Sequence, residues 1–79
     1  MKRYFYVAEY GYSYPNPEPM TLAEARKELV KLLGEALEEC RNRYKCGRKF
    51  RPTKDCGRIT MGDSFQSQIY RAFSIQPIR

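Results

Sequence analysis

The chain has 79 residues, 42% of them apolar, with seven Tyr, four Phe and no Trp or His. This is enough for one packed domain, residues 1–79, and it excludes a disordered chain or a multidomain enzyme. Fifteen Lys and Arg against nine Asp and Glu give a net charge of +6, which favours anionic partners.

Residues 2–14, KRYFYVAEYGYSY, alternate. One face carries Tyr4, Tyr6, Ala8, Tyr10, Tyr12 and Tyr14, and the other carries Arg3, Phe5, Val7 and Glu9. Aromatic and β-branched residues at period two predict a strand over 2–10, extending toward 13. PNPEP, residues 15–19, then stops it, because prolines supply no ladder donors.

A helix is predicted from Thr21. T-L-A-E reads as a capping box, in which Thr21 and Glu24 satisfy each other's backbone N–H groups. Leu22, Ala25, Leu29, Leu33, Ala36, Cys40 and Tyr44 recur at three and four, forming one apolar stripe. The expected end is near Cys46, with Gly47 as the left-handed cap and basic residues at the negative pole.

Residues 40–58, CRNRYKCGRKFRPTKDCGR, hold eight of the fifteen cations and one acid, Asp55, a charge of +7. The other sixty residues carry seven cations and eight acids. Within this segment, residues 48–57 read as a basic loop carrying Pro52 and Gly57. Residues 58–61 and 65–75 read as two strands joined by a Gly62-Asp63-Ser64 hairpin. The expected class is therefore α+β, in the order β-α-β-β, with one long amphipathic helix on a small, mainly antiparallel sheet. Phe5, Val7, Ile59, Met61, Ile69, Phe73 and Ile75 are expected to meet the helix stripe. The opposite face is expected to be open and rich in tyrosine.

The absence of His removes the usual general base near neutral pH and the commonest metal ligand. The three cysteines are spaced C-x5-C-x9-C, without the tight pairs of structural zinc sites. Neither a metal nor a cofactor is expected, nor is catalysis, since no base is paired with a nucleophile. Cys40 reads as a small core residue. Cys46 and Cys56 read as thiols that an oxidant could pair. No leader pattern and no apolar run of membrane-spanning length is present, so a cytoplasmic protein without membrane contact is the expectation.

Two features carry a binding function, and they are expected to join in one site. The first is the basic set Arg41, Arg43, Lys45, Arg48, Lys49, Arg51, Lys54 and Arg58, with Tyr44 and Phe50 interleaved. Such a set attracts phosphates or carboxylates; the plainer reading is a solvated loop. The second is the strand tyrosines Tyr4, Tyr6, Tyr10 and Tyr12, with Tyr70. These form a platform for bases or a protein hot spot, or else merely pack across strands. The octapeptide of RNA-recognition domains is absent. A nucleic acid and an acidic protein both remain open as partners, and a monomer is expected, with a dimer left open.

The opening strand MKRYFYVAEY, the helix opener TLAEARKEL and the closing hairpin RITMGDSFQSQIYRAFSI together resemble the small bacteriophage anti-CRISPR proteins. The resemblance extends over the whole chain and is one of style, without a shared motif. It implies a non-enzymatic inhibitor in the host cytoplasm that docks on a Cascade-type or other CRISPR effector and blocks target DNA. Many such inhibitors are acidic DNA mimics. A basic chain favours contact with an acidic effector subunit or with the nucleic acid itself.

Overall fold

Thr21 opens the helix as its capping box predicts. In a computed structural model describing residues 3–62 and 67–78, the N–H of Glu24 donates to Thr21 Oγ1 at 3.2 Å, and the N–H of Thr21 donates to Glu24 Oε1 at 2.8 Å. Two otherwise orphaned donors are satisfied, which is worth about 1 kcal/mol to the helix. From there α1 runs over Leu22–Tyr44. Ala25, Leu29, Leu33, Ala36 and Cys40 form its fully buried stripe.

The strands are β1 (Phe5–Glu9), β2 (Arg48–Thr53), β3 (Cys56–Thr60) and β4 (Ile69–Pro77). They form an antiparallel sheet in the order β1-β4-β3-β2. The fold is thus α+β, one helix packed on one face of a four-stranded sheet. Ile59 and Phe73 complete the buried cluster with the helix stripe, and Val7, Met61, Tyr70 and Ile75 pack against it. No helix among the described residues is long and apolar enough to cross a membrane.

Four expectations need correction. Residues 48–57 are not a loop but most of a hairpin, β2 and β3. Pro52 is tolerated because β2 is an edge strand, and the register shifts between Phe50 and Thr53, where Pro52 lies. The tyrosine strand is shorter than its alternation suggests. Gly11 adopts φ +94°, open to glycine at little cost, and the N–H of Tyr12 turns back to Glu9 O at 3.2 Å. Tyr10, Tyr12 and Tyr14 therefore lie beyond β1.

The third correction concerns β4. Pro77 lies within it rather than after it. The N–H of Ile75 donates toward β3, to Asp55 O. Position 77 points the same way, past the end of β3, where no donor is needed. At the other end Ile59 pairs with Arg71 and Thr60 with Ile69, leaving Tyr70 as a bulge. The bulge turns both Tyr70 and Arg71 toward α1 and leaves Ile69 48% exposed instead of in the core. Asp63, Ser64 and Phe65, expected in the hairpin and strand start, lie outside the described residues; Met61 N–H donates to Gln68 O across that connection.

The fourth correction is the helix end. Lys45, not Gly47, is the left-handed cap, with φ +59° and its N–H on Arg41 O at 2.8 Å. Gly47 is needed instead for close approach, since a Cβ there would lie 3.2 Å from Cys40 Sγ. A lysine in the left-handed region costs on the order of 1 kcal/mol relative to glycine. Lys45→Gly is therefore expected to raise the melting temperature by several degrees, read by circular dichroism. An unchanged or lower value would show that the lysine stem has packing worth more than the strain.

Candidate binding surfaces

The basic residues run along one edge of the sheet, from the end of α1 down β2 to the β2–β3 turn. Arg41 and Arg43 lie in the last turn of α1, where cations complement the negative helix end. Lys45 caps it. Arg48, Lys49 and Arg51 are exposed on β2, and Lys54 is exposed in the turn to β3. Arg58 is half-buried on β3, opposite Phe50 of β2. Arg41 Nε donates to Gly47 O at 3.3 Å, and Arg51 Nη2 donates to Lys54 O at 3.1 Å. These contacts hold the stems while leaving the cations at the surface. Asp55, the segment's single acid, is taken by Arg26 of α1 at 2.8 Å.

The tyrosines do not join this set. Tyr6 lies on β1, at the opposite edge of the sheet from β2. Three strand spacings of about 4.8 Å separate those edges, roughly 14 Å. Its ring packs on Tyr14 with centroids 5.5 Å apart, and the Tyr14 hydroxyl accepts the outward N–H of Glu9 at 3.0 Å. With Phe5 bonded to Met20 in both directions, this covers much of the outer edge of β1. Tyr4 is 44% exposed just before β1, and Tyr10 and Tyr12 are exposed just after it. The uncovered sheet face therefore carries Tyr6, Ala8, Ala72, Ser74, Cys56 and Arg58 rather than a row of tyrosines. The expected single surface is two surfaces.

A charged cluster under the helix was missed by the sequence reading. Arg71 of β4 donates two hydrogen bonds to Glu9, at 2.9 and 2.7 Å, and its guanidinium lies 5.1 Å from the Phe73 ring centroid. These hydrogen bonds from the guanidinium to Glu9 raise its pKa further. Tyr70 donates its hydroxyl to Glu39 of α1, and that bond, then burial, pushes the phenol above its usual pKa. Tyr70 also meets Tyr44 edge-on at 5.8 Å. Glu9 and Arg71 are 62 residues apart in sequence, so only strand pairing brings them together.

The cysteines are free. Cys40 is buried, its Sγ donates to Cys46 O at 3.1 Å, and burial pushes its thiol pKa up. Cys46 donates to Met61 O, and Cys56 contacts Thr53 Oγ1. Arg48 pairs with Thr60, four residues along β3 from Cys56. That puts Cys46 and Cys56 at opposite ends of the hairpin, roughly 13 Å apart or more. A disulfide needs Cα atoms within about 7 Å, so the oxidative pairing that the sequence leaves open does not fit this fold. Among the described residues no three Cys, Asp or Glu side chains converge as metal ligands. No protein-family model matches the chain, and no curated protein or solved structure matches it either.

Proposed function

We propose that the chain is a non-enzymatic inhibitor that acts by binding, with its basic edge docked on an anionic partner. The resemblance to anti-CRISPR proteins makes that partner a CRISPR effector subunit with an acidic surface, whose target-DNA binding is blocked. The observation that carries the reading is the alignment of Arg41, Arg43, Lys45, Arg48, Lys49, Arg51 and Lys54 along one edge of the fold, from the end of α1 to the β2–β3 turn, where the segment's one acid, Asp55, is engaged by Arg26. Edge protection accounts for Lys49 and Pro52, and the helix dipole for Arg41 and Arg43. Neither accounts for Arg48, Arg51 and Lys54 being added along the same edge. The field of such a patch speeds encounter with anionic surfaces and repels cationic ones.

A second reading is a DNA- or RNA-binding module. Phe50 and Arg58 face each other across β2 and β3 on the uncovered sheet face, an aromatic beside a guanidinium on which a base can stack.

One titration series separates the two. The purified protein is expected to bind a Cascade-type effector and reduce its capture of target duplex, while binding free duplex DNA weakly. Tight DNA binding by the isolated protein, falling steeply between about 50 and 200 mM salt as counterions are released, would replace the first reading with the second.

A further inference from the structure

Single exposed apolar side chains are ordinary; gathered ones are not. Tyr10, Tyr12 and Ile69 are 87%, 68% and 48% exposed. All three line one groove of about 490 Å³ that runs between the end of β1, the start of β4 and Glu39 in the C-terminal part of α1. Tyr70, Arg71 and Glu39 form its other wall. A second hollow of about 400 Å³ lies along the same Tyr10-Gly11-Tyr12 turn, lined also by Ala8 and Ser74. The turn is a tyrosine-bearing projection with a recess on either side.

The groove's charges are unequally satisfied. Arg71 gives Glu9 two hydrogen bonds and forms a longer ion pair with Glu39. Glu39 keeps spare capacity. One of its oxygens accepts the Tyr70 hydroxyl. The other stands 3.7 Å from Arg71 Nη1, beyond hydrogen-bond range, and the side chain is half exposed. Glu35 and Glu38 continue this acidic surface along α1, with the cation Arg43 beside them. The site therefore offers tyrosine faces, an apolar floor at Ile69 and a carboxylate at the rim.

We propose that this groove is a second protein-docking site, and that its occupant is an arginine or lysine side chain of a partner protein. A cation over a tyrosine ring gains about 0.5–2 kcal/mol according to its desolvation. A charge-assisted hydrogen bond to Glu39 adds direction, and the aliphatic stem of the side chain lies along Ile69. Rigid tyrosines around a pocket are the composition of protein hot spots. Phosphates would face Glu39, Glu35 and Glu38 here, so a nucleic acid is the wrong occupant. The inference does not depend on the cations of β2, which lie across the sheet and have the opposite sign.

The test is an NMR titration with a blocked Gly-Arg-Gly tripeptide and, separately, its Gly-Gln-Gly counterpart. The arginine peptide is expected to give saturable shifts at Tyr10, Tyr12 and Ile69, with the glutamine peptide at least about tenfold weaker. Tyr10→Ala with Tyr12→Ala should abolish the shifts; both side chains are exposed, so the fold is expected to survive. Glu39→Gln, which keeps an acceptor for Tyr70, should remove the preference for arginine and serves as an independent variant. The proposal is overturned by no saturable shift, by equal response to both peptides, by full affinity in the double tyrosine variant, or by an undiminished arginine preference in Glu39→Gln.

Discussion

Replacing Arg48, Lys49 and Arg51 together by Glu is expected to abolish partner binding and leave the fold intact. All three are exposed on β2, the outermost strand, with no described strand beyond it. Exposed substitutions of this kind shift stability by less than about 0.5 kcal/mol each. Glutamate preserves the charge that discourages strand-to-strand pairing at an edge. One bond lost is that from Arg51 Nη2 to Lys54 O, at an exposed turn where water replaces it. Against an acidic partner, three reversals place like charges opposite each other and cost several kcal/mol. At about 1.4 kcal/mol per tenfold, a fall of at least about a hundredfold is expected. Circular dichroism melting beside a pull-down or inhibition assay reads both halves. A folded variant with full activity would reduce β2 to ordinary solvated edge, leaving the tyrosine groove as the leading site.

The largest stability effects are expected where β3 meets the helix. A Cβ on Gly57 would lie 2.5 Å from Leu33 Cδ1 and 3.3 Å from Phe50 O. Leu33 is fully buried and cannot swing aside without displacing the core around it. Gly57→Ala therefore overpacks, at about 1–3 kcal/mol. Leu33→Ala leaves a cavity, at about 2–5 kcal/mol. The two changes are complementary, because the second empties the space that the first invades. The double variant is expected to be more stable than the sum of the single effects allows, by about 1 kcal/mol or more. Urea or thermal unfolding of the four proteins measures this coupling. Strict additivity would mean that β3 does not approach α1 as closely as described. Binding should weaken with stability in these variants, because Gly57 holds the β2–β3 hairpin against the helix.

The start of α1 and its buried stripe were legible because capping and period 3.6 are local properties. Much of the sheet was not. Pro52 and four nearby cations made residues 48–57 resemble a loop, yet Pro and positive charge are also the marks of an edge strand. Whether the segment was loop or edge depended on a partner strand. The bulge at Tyr70 broke the alternation in β4 by one residue, exchanging the expected faces of Ile69 and Tyr70. In β1 the tyrosine alternation outran the strand because Gly11 permits a turn that the pattern does not register. For the binding surface, the gathering of cations could be read directly, since most lie within eighteen residues of one another. Their separation from Tyr6, Tyr10 and Tyr12 follows from the order β1-β4-β3-β2, in which the last strand enters the middle. The same pairing joins Glu9 to Arg71, and no local signal marks it.

Amide hydrogen exchange, with and without a saturating Cascade-type effector, tests the basic edge most directly. Outward N–H groups of an edge strand exchange readily in the free protein and slow when covered. The expected result is protection over residues 48–51 and 43–47, lost in the triple glutamate variant. Protection confined to residues 10–12 and 69–72, with 48–51 unchanged, would contradict the assignment of docking to the basic edge.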